Sequence, residues 1–355
     1  MILSDLIRAL MPAIAAFVIG IAATPVLTHY LYLHKAWKKK PGKRALDGTT
    51  AEVFNGLHRE HEVRAPRMGG IVVWGSVLTS ALVLKTLALL QPHSIFGTLD
   101  FTTRSQTWIP LAALLVGAVV GLADDLLTIG ERGEGLRLRV RLVFVGVLAL
   151  VIGVWFYDKL DVTAINIPFS APLEIGWLVV PFFILLSLGL FASGVIDGID
   201  GLSGGVFASI FASYAIIAFA QGQTDLAAFC AAIVGGLLAF LWFNVPPARF
   251  YMSDTGTMAL TLALAVVAFM TDSLGGGFGI TVLPIVGGIL VVTVASNILQ
   301  IFWKKAFGRK LLRVAPLHHH FEAIGWPGYK VTMRYWIISI ILAFAGVILA
   351  LAAIS

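Results

Sequence analysis

Ten apolar stretches, each close to the length of a membrane-spanning helix, constrain the fold of this 355-residue chain more than any other feature. A span needs about 20 mainly apolar residues, so each stretch predicts one helix across a membrane. The composition agrees, because 59% of the residues are hydrophobic and 12% are charged, whereas soluble domains carry about 25% charged residues. A water-soluble enzyme is therefore excluded. The predicted spans are 7–33, 69–90, 108–123, 140–157, 175–193, 203–220, 226–244, 257–271, 280–303 and 335–354.

Basic residues divide unevenly between the connections, and this division predicts the side of the membrane that each connection faces. Of the 25 Lys and Arg residues, 21 lie in alternate connections: nine in 34–68, four in 124–141, one at Arg249 and seven in 304–334. Basic residues near helix ends stay on the cytoplasmic side, so these connections are predicted to be cytoplasmic. With ten spans, both termini are then periplasmic.

The connections also limit the domain organisation. The cytoplasmic ones are too short for an independent domain and no repeat is evident, so residues 1–355 are predicted to form a single, all-α, polytopic membrane domain. The outward connection 158–174 alternates enough to predict a small hairpin. The net charge of +6 reflects sidedness, and no nucleic acid is expected as a partner. The single cysteine, Cys230, excludes an intrachain disulfide and a cysteine-based metal site.

Four groups of polar residues fall at the predicted cytoplasmic ends of the spans. Ionisable residues at membrane depth cost about 2.5–3.5 kcal/mol at a helix centre, which makes them candidates for function. The count of basic residues assigned this side independently, so the common location favours one shared site. The groups are Asp124 with Asp125, Asp197 with Asp200, Asn244 with Asp254, and His318 with His319 and His320.

Each group also has a purely structural interpretation. Asp124 and Asp125 could be solvated acids at a helix end, and the glycines around Asp197 and Asp200 could make that segment a tight turn. If the turn is helical instead, the two acids share one face. Asp254 could cap a helix. The histidines could be a solvated tract, because adjacent side chains on a helix point about 100° apart and one metal ion does not easily bind all three.

Carboxylates, an amide and imidazoles at a lipid-headgroup surface indicate phosphate chemistry. Mg²⁺ prefers hard oxygen ligands and completes its shell with water and substrate phosphates. Arg and His side chains can neutralise further phosphate oxygens. The combination predicts a Mg²⁺-dependent enzyme acting on a diphosphate, with catalysis that consists mostly of positioning and charge stabilisation.

Five motifs give the chain a resemblance to a known family. In chain order they resemble the polyprenyl-phosphate N-acetylhexosamine-1-phosphate transferase superfamily over most of the length. The triple-histidine block is typical of its muramoyl branch and not of its GlcNAc-transferring relatives. The motifs are PRMGG at 66–70, ADD at 123–125, DGIDGL at 197–202, FLWFN through MSDTG at 240–256, and APLHHHFEAIGW at 315–326.

The resemblance implies an activity, a cofactor and a location. The activity is transfer of phospho-N-acetylmuramoyl-pentapeptide from UDP-MurNAc-pentapeptide to undecaprenyl phosphate, forming lipid I and UMP in peptidoglycan synthesis, with Mg²⁺ required. A homodimer of ten-helix subunits is implied, embedded in the lipid bilayer of the bacterial inner membrane, with the active site on the cytoplasmic face. By position, Asp254 resembles the Mg²⁺ ligand. Asp124 and Asp125 resemble the acidic pair at the lipid phosphate, with Asp124 as the candidate base.

The same resemblance assigns the remaining site residues. Asp197, Asp200 and Asn244 resemble residues that contact uridine or the diphosphate, Asp200 being counted among the catalytic residues. The essential, catalytic histidine motif is His318, His319 and His320. Thr128 stands where the family often has a lysine, and Arg132 is expected to supply that charge to the substrate. The chain also departs from the usual residues at Arg67, Gly194 and Ser253.

Other functions stay open at this point. The sister reaction, GlcNAc-1-phosphate transfer from UDP-GlcNAc to the same lipid, would use the same acidic motifs. An ion-coupled transporter would place acids near the membrane midplane; Gly287 and Gly288 could form a flexible passage, although the outer halves of the spans have few matching acids. A scaffold for cell-wall partners explains neither the acids nor the histidines.

Overall fold

The computed structural model describes residues 2–39, 56, 63, 65–131, 133 and 135–354. Most of them lie in helices, as the apolar stretches predict. The helices with described bounds are α1 (Ile2–Leu33), α2 (Gly70–Leu90), α3 (Trp108–Ile129), α4 (Leu138–Leu160), α5 (Val179–Ser193), α6 (Leu202–Ala220), α7 (Thr224–Asn244), α8 (Ser253–Phe269), α9 (Gly279–Val286), α10 (Gly288–Phe307), α11 (Leu317–Ala323) and α12 (Gly328–Ile354).

Ten segments among the described residues are long and apolar enough to cross a membrane. This confirms the prediction of about ten spans. The ninth predicted span is corrected, because the sequence predicted one helix over 280–303 and the chain instead breaks at Gly287 between α9 and α10. Pro284 lacks an N–H, and two successive glycines follow it, so the helical hydrogen-bond ladder is weakened at this point. Only α10 has the length of a span here.

The interior of the bundle is formed mainly by α7 and α8, which are the most buried of these segments. Beyond the polar first turns of α8, both helices are mainly apolar around their circumference, as expected of helices surrounded by others. In contrast, α1 and α12 expose many large apolar side chains, which suits helices that face lipid. The sole cysteine, Cys230, is fully buried in α7.

Helices α3 and α8 approach each other closely at one end of the bundle. A Cβ atom at Gly121 would overlap the carbonyl oxygen of Asp254. Small residues let two helix backbones come this near. The contact therefore sets the end of α3, with Asp124 and Asp125, beside the first turn of α8.

A small hairpin covers the other end of α8. Strands β1 (Ala164–Ile165) and β2 (Leu173–Glu174) pair antiparallel, which confirms the predicted hairpin in 158–174. The backbone N–H of Asn166 donates to Asp272 Oδ1 at 3.0 Å, and its side-chain amide donates to the Asp272 carbonyl at 3.0 Å. Asp272 lies just past α8, so this polar contact is at the end of the helix farthest from Asp254.

Candidate active site

Three carboxylates meet where α3 ends and α8 begins. One oxygen from each of Asp124, Asp125 and Asp254 lies within 4.8 Å of the others, close enough to share a metal ion. Asp124 and Asp125 are buried, whereas the Asp254 side chain is 25% exposed. We call these three residues the carboxylate cluster. The fold thus brings the predicted acidic pair and the predicted Mg²⁺ ligand together.

Arg67, just before α2, connects two members of the carboxylate cluster. Its Nε donates to Asp125 Oδ1 at 2.9 Å, and its Nη2 lies 3.4 Å from Asp254 Oδ2. Burial alone would lower the pKa of Arg67, but the charges of Asp125 and Asp254 outweigh burial and raise the pKa above its ordinary value. Arg67 therefore keeps its positive charge at the cluster.

A second arginine, Arg141 in the first turn of α4, lies between Asp124 and Asp254, so Asp254 contacts both arginines. Arg141 Nη1 is 3.3 Å from Asp254 Oδ1 and 3.7 Å from Asp124 Oδ2. Sequence reasoning missed this residue, and the available signal was its place as the last basic residue before the apolar run of α4. Arg132, which was expected to supply a charge, lies outside the described residues.

Backbone N–H groups hold the buried acidic pair. Asp124 Oδ1 accepts from the N–H of Leu136 at 2.5 Å, and Asp125 Oδ2 accepts from the N–H of Thr255 at 3.0 Å. The hydroxyl of Thr128 donates to the backbone carbonyl of Asp124 at 2.9 Å. Both carboxylates are thus fixed by the protein, and Asp254 is the most accessible member of the cluster.

The segment that carries Asp197 is a turn and not a helix, so Asp197 and Asp200 do not share a helical face. Asp197 Oδ1 accepts from Ser203 Oγ at 2.7 Å. Its Oδ2 accepts from the N–H of Ser253 at 2.7 Å. Ser253 immediately precedes Asp254, so Asp197 ties this turn to the carboxylate cluster.

Asn244 and Asp200 brace the connection between α7 and α8. Asn244 is buried; its Oδ1 accepts from the N–H of Gly201 at 2.9 Å, and its Nδ2 donates to the carbonyl of Phe250 at 2.7 Å. Asp200 Oδ2 accepts from the N–H of Ala248 at 3.0 Å. These side chains shape the loop beside the site, and their predicted contacts with substrate stay predictions.

Two histidines of the predicted motif face the turn that contains Gly198. His318 and His319 are buried on α11, with ring centroids 4.3 Å apart. A Cβ atom at Gly198 would lie 2.5 Å from His319 Nε2 and 2.9 Å from His318 Nε2, so only glycine leaves room for both rings. His320 differs, because its Nδ1 accepts from the backbone N–H of Arg313 at 3.2 Å.

Comparison with known proteins places this site in a family. Residues 107–272 match the family model described as glycosyl transferase family 4. The phospho-N-acetylmuramoyl-pentapeptide-transferase of Granulibacter bethesdensis is 36% identical over 304 residues, covering 79% of this chain and 78% of the relative. The protein of the same name from Geobacillus sp. strain WCH70 is 33% identical, covering 79% of this chain and 82% of the relative. The one from Rickettsia massiliae is also 33% identical, covering 80% of this chain and 79% of the relative.

The chain belongs to the phospho-N-acetylmuramoyl-pentapeptide-transferase family. This confirms the resemblance inferred from the five motifs. The transferase family model spans the carboxylate cluster, the Asp197 turn and Asn244. Arg67 and the histidine motif lie outside the matched residues, so their place at the site rests on the contacts described above.

Proposed function

We propose that this protein transfers phospho-N-acetylmuramoyl-pentapeptide from UDP-MurNAc-pentapeptide to undecaprenyl phosphate, producing lipid I and UMP. The observation that carries the proposal is the carboxylate cluster flanked by Arg67 and Arg141 at one end of a bundle of apolar helices. Acids and fixed positive charges together suit a diphosphate with a bound cation. Membership of the transferase family supplies the nature of the two substrates.

The carboxylate cluster fits Mg²⁺. Its three donors are hard oxygen atoms, and Asp254 is exposed enough to reach a ligand shared with substrate. Asp124, Asp125 and Asp254 would hold the ion, with Asp254 as the proposed principal ligand. The chemistry that Mg²⁺ supplies when bound is neutralisation of charge on phosphate oxygens.

The two arginines are proposed to bind the remaining phosphate oxygens. A guanidinium presents several N–H donors in a plane and can therefore contact carboxylate and phosphate together. Arg141 Nε is buried and has no hydrogen-bond partner among the described residues, so an oxygen of a bound substrate would satisfy this donor. Arg67 and Arg141 would then orient the diphosphate against the carboxylate cluster and exclude water from it.

Asp124 is proposed as the base that keeps the lipid phosphate ionised. An oxygen of that phosphate attacks the sugar-linked phosphorus, a new phosphoanhydride forms, and the bond to UMP breaks. One phosphoanhydride replaces another, so the step is close to balanced and is expected to be reversible. Asp197 would contribute by fixing the start of α8, since it binds the N–H of Ser253.

An apolar depression gives the lipid a route to this site from the side. It lies between α3 and α4 with α8 as its floor, and Met258 of α8 is one of its lining residues. Val120 precedes Asp124 by one helical turn, and Phe144 follows Arg141 by about one turn. We propose that the prenyl chain lies here with its phosphate at Arg141. The other lining residues are Val116, Val145, Val147, Leu148, Val151 and Leu262.

The membrane arrangement completes the proposal. The uneven distribution of Lys and Arg supports a cytoplasmic location for the carboxylate cluster and periplasmic termini. We place the protein in the bacterial inner membrane as one domain over 1–355, functioning as a homodimer. No nucleic acid takes part.

The test is a reconstituted assay with the full chain in detergent micelles. Purified protein is given undecaprenyl phosphate and UDP-MurNAc-pentapeptide, and UMP release and lipid product are followed with and without Mg²⁺. Turnover is expected with Mg²⁺, is expected to stop on chelation, and should be absent with UDP-GlcNAc. Turnover with UDP-GlcNAc alone would replace the proposal by the sister reaction.

Asp254→Asn tests the proposed metal ligand in the same assay. It should abolish turnover while the protein stays folded, because one amide replaces one anionic oxygen ligand. Asp158→Asn is the matched control, since Asp158 is exposed and pairs only with its neighbour Lys159 among the described ion pairs. Near-normal turnover of Asp254→Asn would overturn the assignment.

A further inference from the structure

The three consecutive histidines have three different environments. His318 is buried and packs edge-on against Tyr335, with ring centroids 6.3 Å apart. His320 is partly exposed, and its Nδ1 accepts from the backbone N–H of Arg313. His319 is buried, and its Nδ1 lies 2.7 Å from Glu322 Oε2. The motif therefore does not present three equivalent imidazoles.

Glu322 determines which nitrogen of His319 faces the site. When the Glu322 carboxylate is ionised it can only accept a hydrogen bond, and this requires a hydrogen on Nδ1 of the imidazole. The other ring nitrogen, Nε2, is directed at Gly198. Glu322 and His319 are one helical turn apart on α11, so the pair is held by the helix itself.

The turn that Nε2 faces is connected to the carboxylate cluster. Gly198 follows Asp197, and Asp197 accepts from the N–H of Ser253, the residue before Asp254. The absence of a Cβ at Gly198 is what allows the imidazole edge to reach this turn. A side chain oriented here lies next to Asp197, which binds the residue preceding Asp254 of the carboxylate cluster.

We infer that Glu322 is a positioning residue, which holds His319 through Nδ1 so that Nε2 is presented at the Gly198 turn to the diphosphate of the sugar nucleotide. This inference rests on the proposed function for the identity of the substrate. A carboxylate that orients a functional histidine in this way fixes its tautomer and ring direction, and loss of such a partner typically costs about tenfold to a hundredfold.

Activity measurements distinguish a positioning role of Glu322 from a role of its negative charge alone. Glu322→Ala is expected to lower kcat/KM for the sugar nucleotide by about tenfold to a hundredfold. Glu322→Gln should restore most of the loss, because its amide oxygen can still accept the Nδ1 hydrogen. Glu174→Ala, an exposed glutamate in β2, is the matched control and should behave as the unmodified protein. Normal kcat/KM in Glu322→Ala, or a loss in Glu322→Gln equal to that in Glu322→Ala, would overturn the inference.

A double-mutant cycle shows whether Glu322 acts through His319. In a His319→Asn background, Glu322→Ala should cause little further loss, because its partner is already gone. Additive losses would mean that Glu322 acts independently, against the inference. Thermal unfolding in detergent identifies any variant that has lost its fold. If Glu322→Ala is unfolded, the activity of Glu322→Gln is compared with that of the unmodified protein instead.

A spectroscopic measurement is independent of turnover. Long-range ¹H–¹⁵N correlation spectra of histidine-labelled protein report which ring nitrogen carries the hydrogen, and His319→Asn identifies the signal. The Nδ1–H form is expected, and it should be lost in Glu322→Ala. The Nε2–H form in the unmodified protein would contradict the inference. If no UMP is released from any sugar nucleotide, the proposed function fails, while this spectrum still decides the role of Glu322.

Discussion

The backbone N–H of Thr255 donates to Asp125 Oδ2 at 3.0 Å, which joins the end of α3 to the first turn of α8. The other oxygen of Asp125 receives Arg67 at 2.9 Å. Both oxygens of this buried carboxylate are therefore used by the protein. Asp254, in contrast, is partly exposed, and the guanidinium groups of Arg141 and Arg67 donate to it at 3.3 Å and 3.4 Å.

Asp125→Asn and Asp254→Asn should consequently differ in their effect on stability. An amide at Asp125 sets an NH₂ group against either the Thr255 N–H or Arg67, and an unsatisfied buried partner costs about 1–3 kcal/mol. We expect a lower thermal midpoint for Asp125→Asn, little change for Asp254→Asn, and loss of turnover in both. Equal midpoints would contradict the structural role given to Asp125.

Removal of the Arg67 charge should have opposite effects on cation and substrate. Arg67 and a divalent cation carry charges of the same sign, and two unit charges about 4 Å apart near a protein surface interact by about 4 kcal/mol. Relief of about a third of that repulsion corresponds to about tenfold in affinity. Arg67→Met should therefore bind Mn²⁺, used as a probe for Mg²⁺, about tenfold more tightly and raise KM for the sugar nucleotide. Titration calorimetry and initial rates measure the two quantities.

The charge of Arg67 determines how the effect of Arg67→Met depends on pH. Because its pKa is raised, Arg67 stays protonated at the pH of the assay. The contribution of its ion pairs to the stability of the fold is lost only when the pH rises through that pKa, which lies above the assay range. Deprotonation of Arg67 itself therefore adds no pH dependence to the difference between Arg67→Met and the unmodified protein below that pKa. Arg249→Met, an exposed arginine against Phe243, should leave both quantities unchanged. Weaker Mn²⁺ binding in Arg67→Met would show that the arginine supports the cation site instead of opposing it.

A bulky side chain in the depression between α3 and α4 should hinder the lipid substrate selectively. Val147 is 55% exposed and lines this depression. Val147→Trp should raise KM for undecaprenyl phosphate and leave KM for the sugar nucleotide unaltered. With a short-chain prenyl phosphate the effect should diminish, because less of the chain occupies the depression.

The matched control for Val147→Trp is Val83→Trp. Val83 lines a second apolar depression whose lining residues are all on α2. That change should leave both KM values as they are. Equal effects of the two tryptophans on KM for undecaprenyl phosphate, or no effect of either, would contradict the proposal that the lipid binds in the α3–α4 depression.

Gly121→Ala should disturb the site through the backbone. Its Cβ would overlap the Asp254 carbonyl, and overpacking of this kind costs about 1–3 kcal/mol. We expect a lower thermal midpoint together with weaker Mn²⁺ binding. Gly146→Ala in α4 meets open space and should be neutral or slightly stabilising. The same midpoint for both alanine variants would show that α3 and α8 are less tightly packed than the structure indicates.

The sequence was sufficient to predict the number of spans and the acids at one end of the bundle. Long apolar runs leave few alternatives to membrane helices, and charged residues such as Asp124 and Asp254 stand out against them. The hairpin at β1 and β2 was also predicted, because alternation of side chains is a local signal. These features depend on residues that are close together in the chain.

The features that the sequence could not reveal depend on tertiary contacts. Arg141 reaches Asp254 only because α4 starts beside α8, and no spacing in the sequence encodes that proximity. Asp197 and Asp200 lie in the turn between Ile196 and Leu202, outside the helices on either side, and the DGIDG pattern alone did not distinguish this turn from a helix. The helix break at Gly287 was also missed, since the run 280–303 is apolar throughout and its hydropathy does not reveal where a hydrogen-bond ladder ends.

Because Cys230 is buried, a single reporter group can be attached to this chain at one introduced, exposed cysteine. A thiol enclosed within α7 is shielded from water-soluble maleimides, so any cysteine introduced at an exposed position becomes the reactive one. Exposed positions exist near both ends of the bundle, for example His93 after α2 and Lys310 after α10. Impermeant maleimide applied to intact cells should modify a cysteine introduced at His93 and should not modify one introduced at Lys310. This result would give the orientation of the bundle in the membrane, and the native Cys230 would not need to be replaced first.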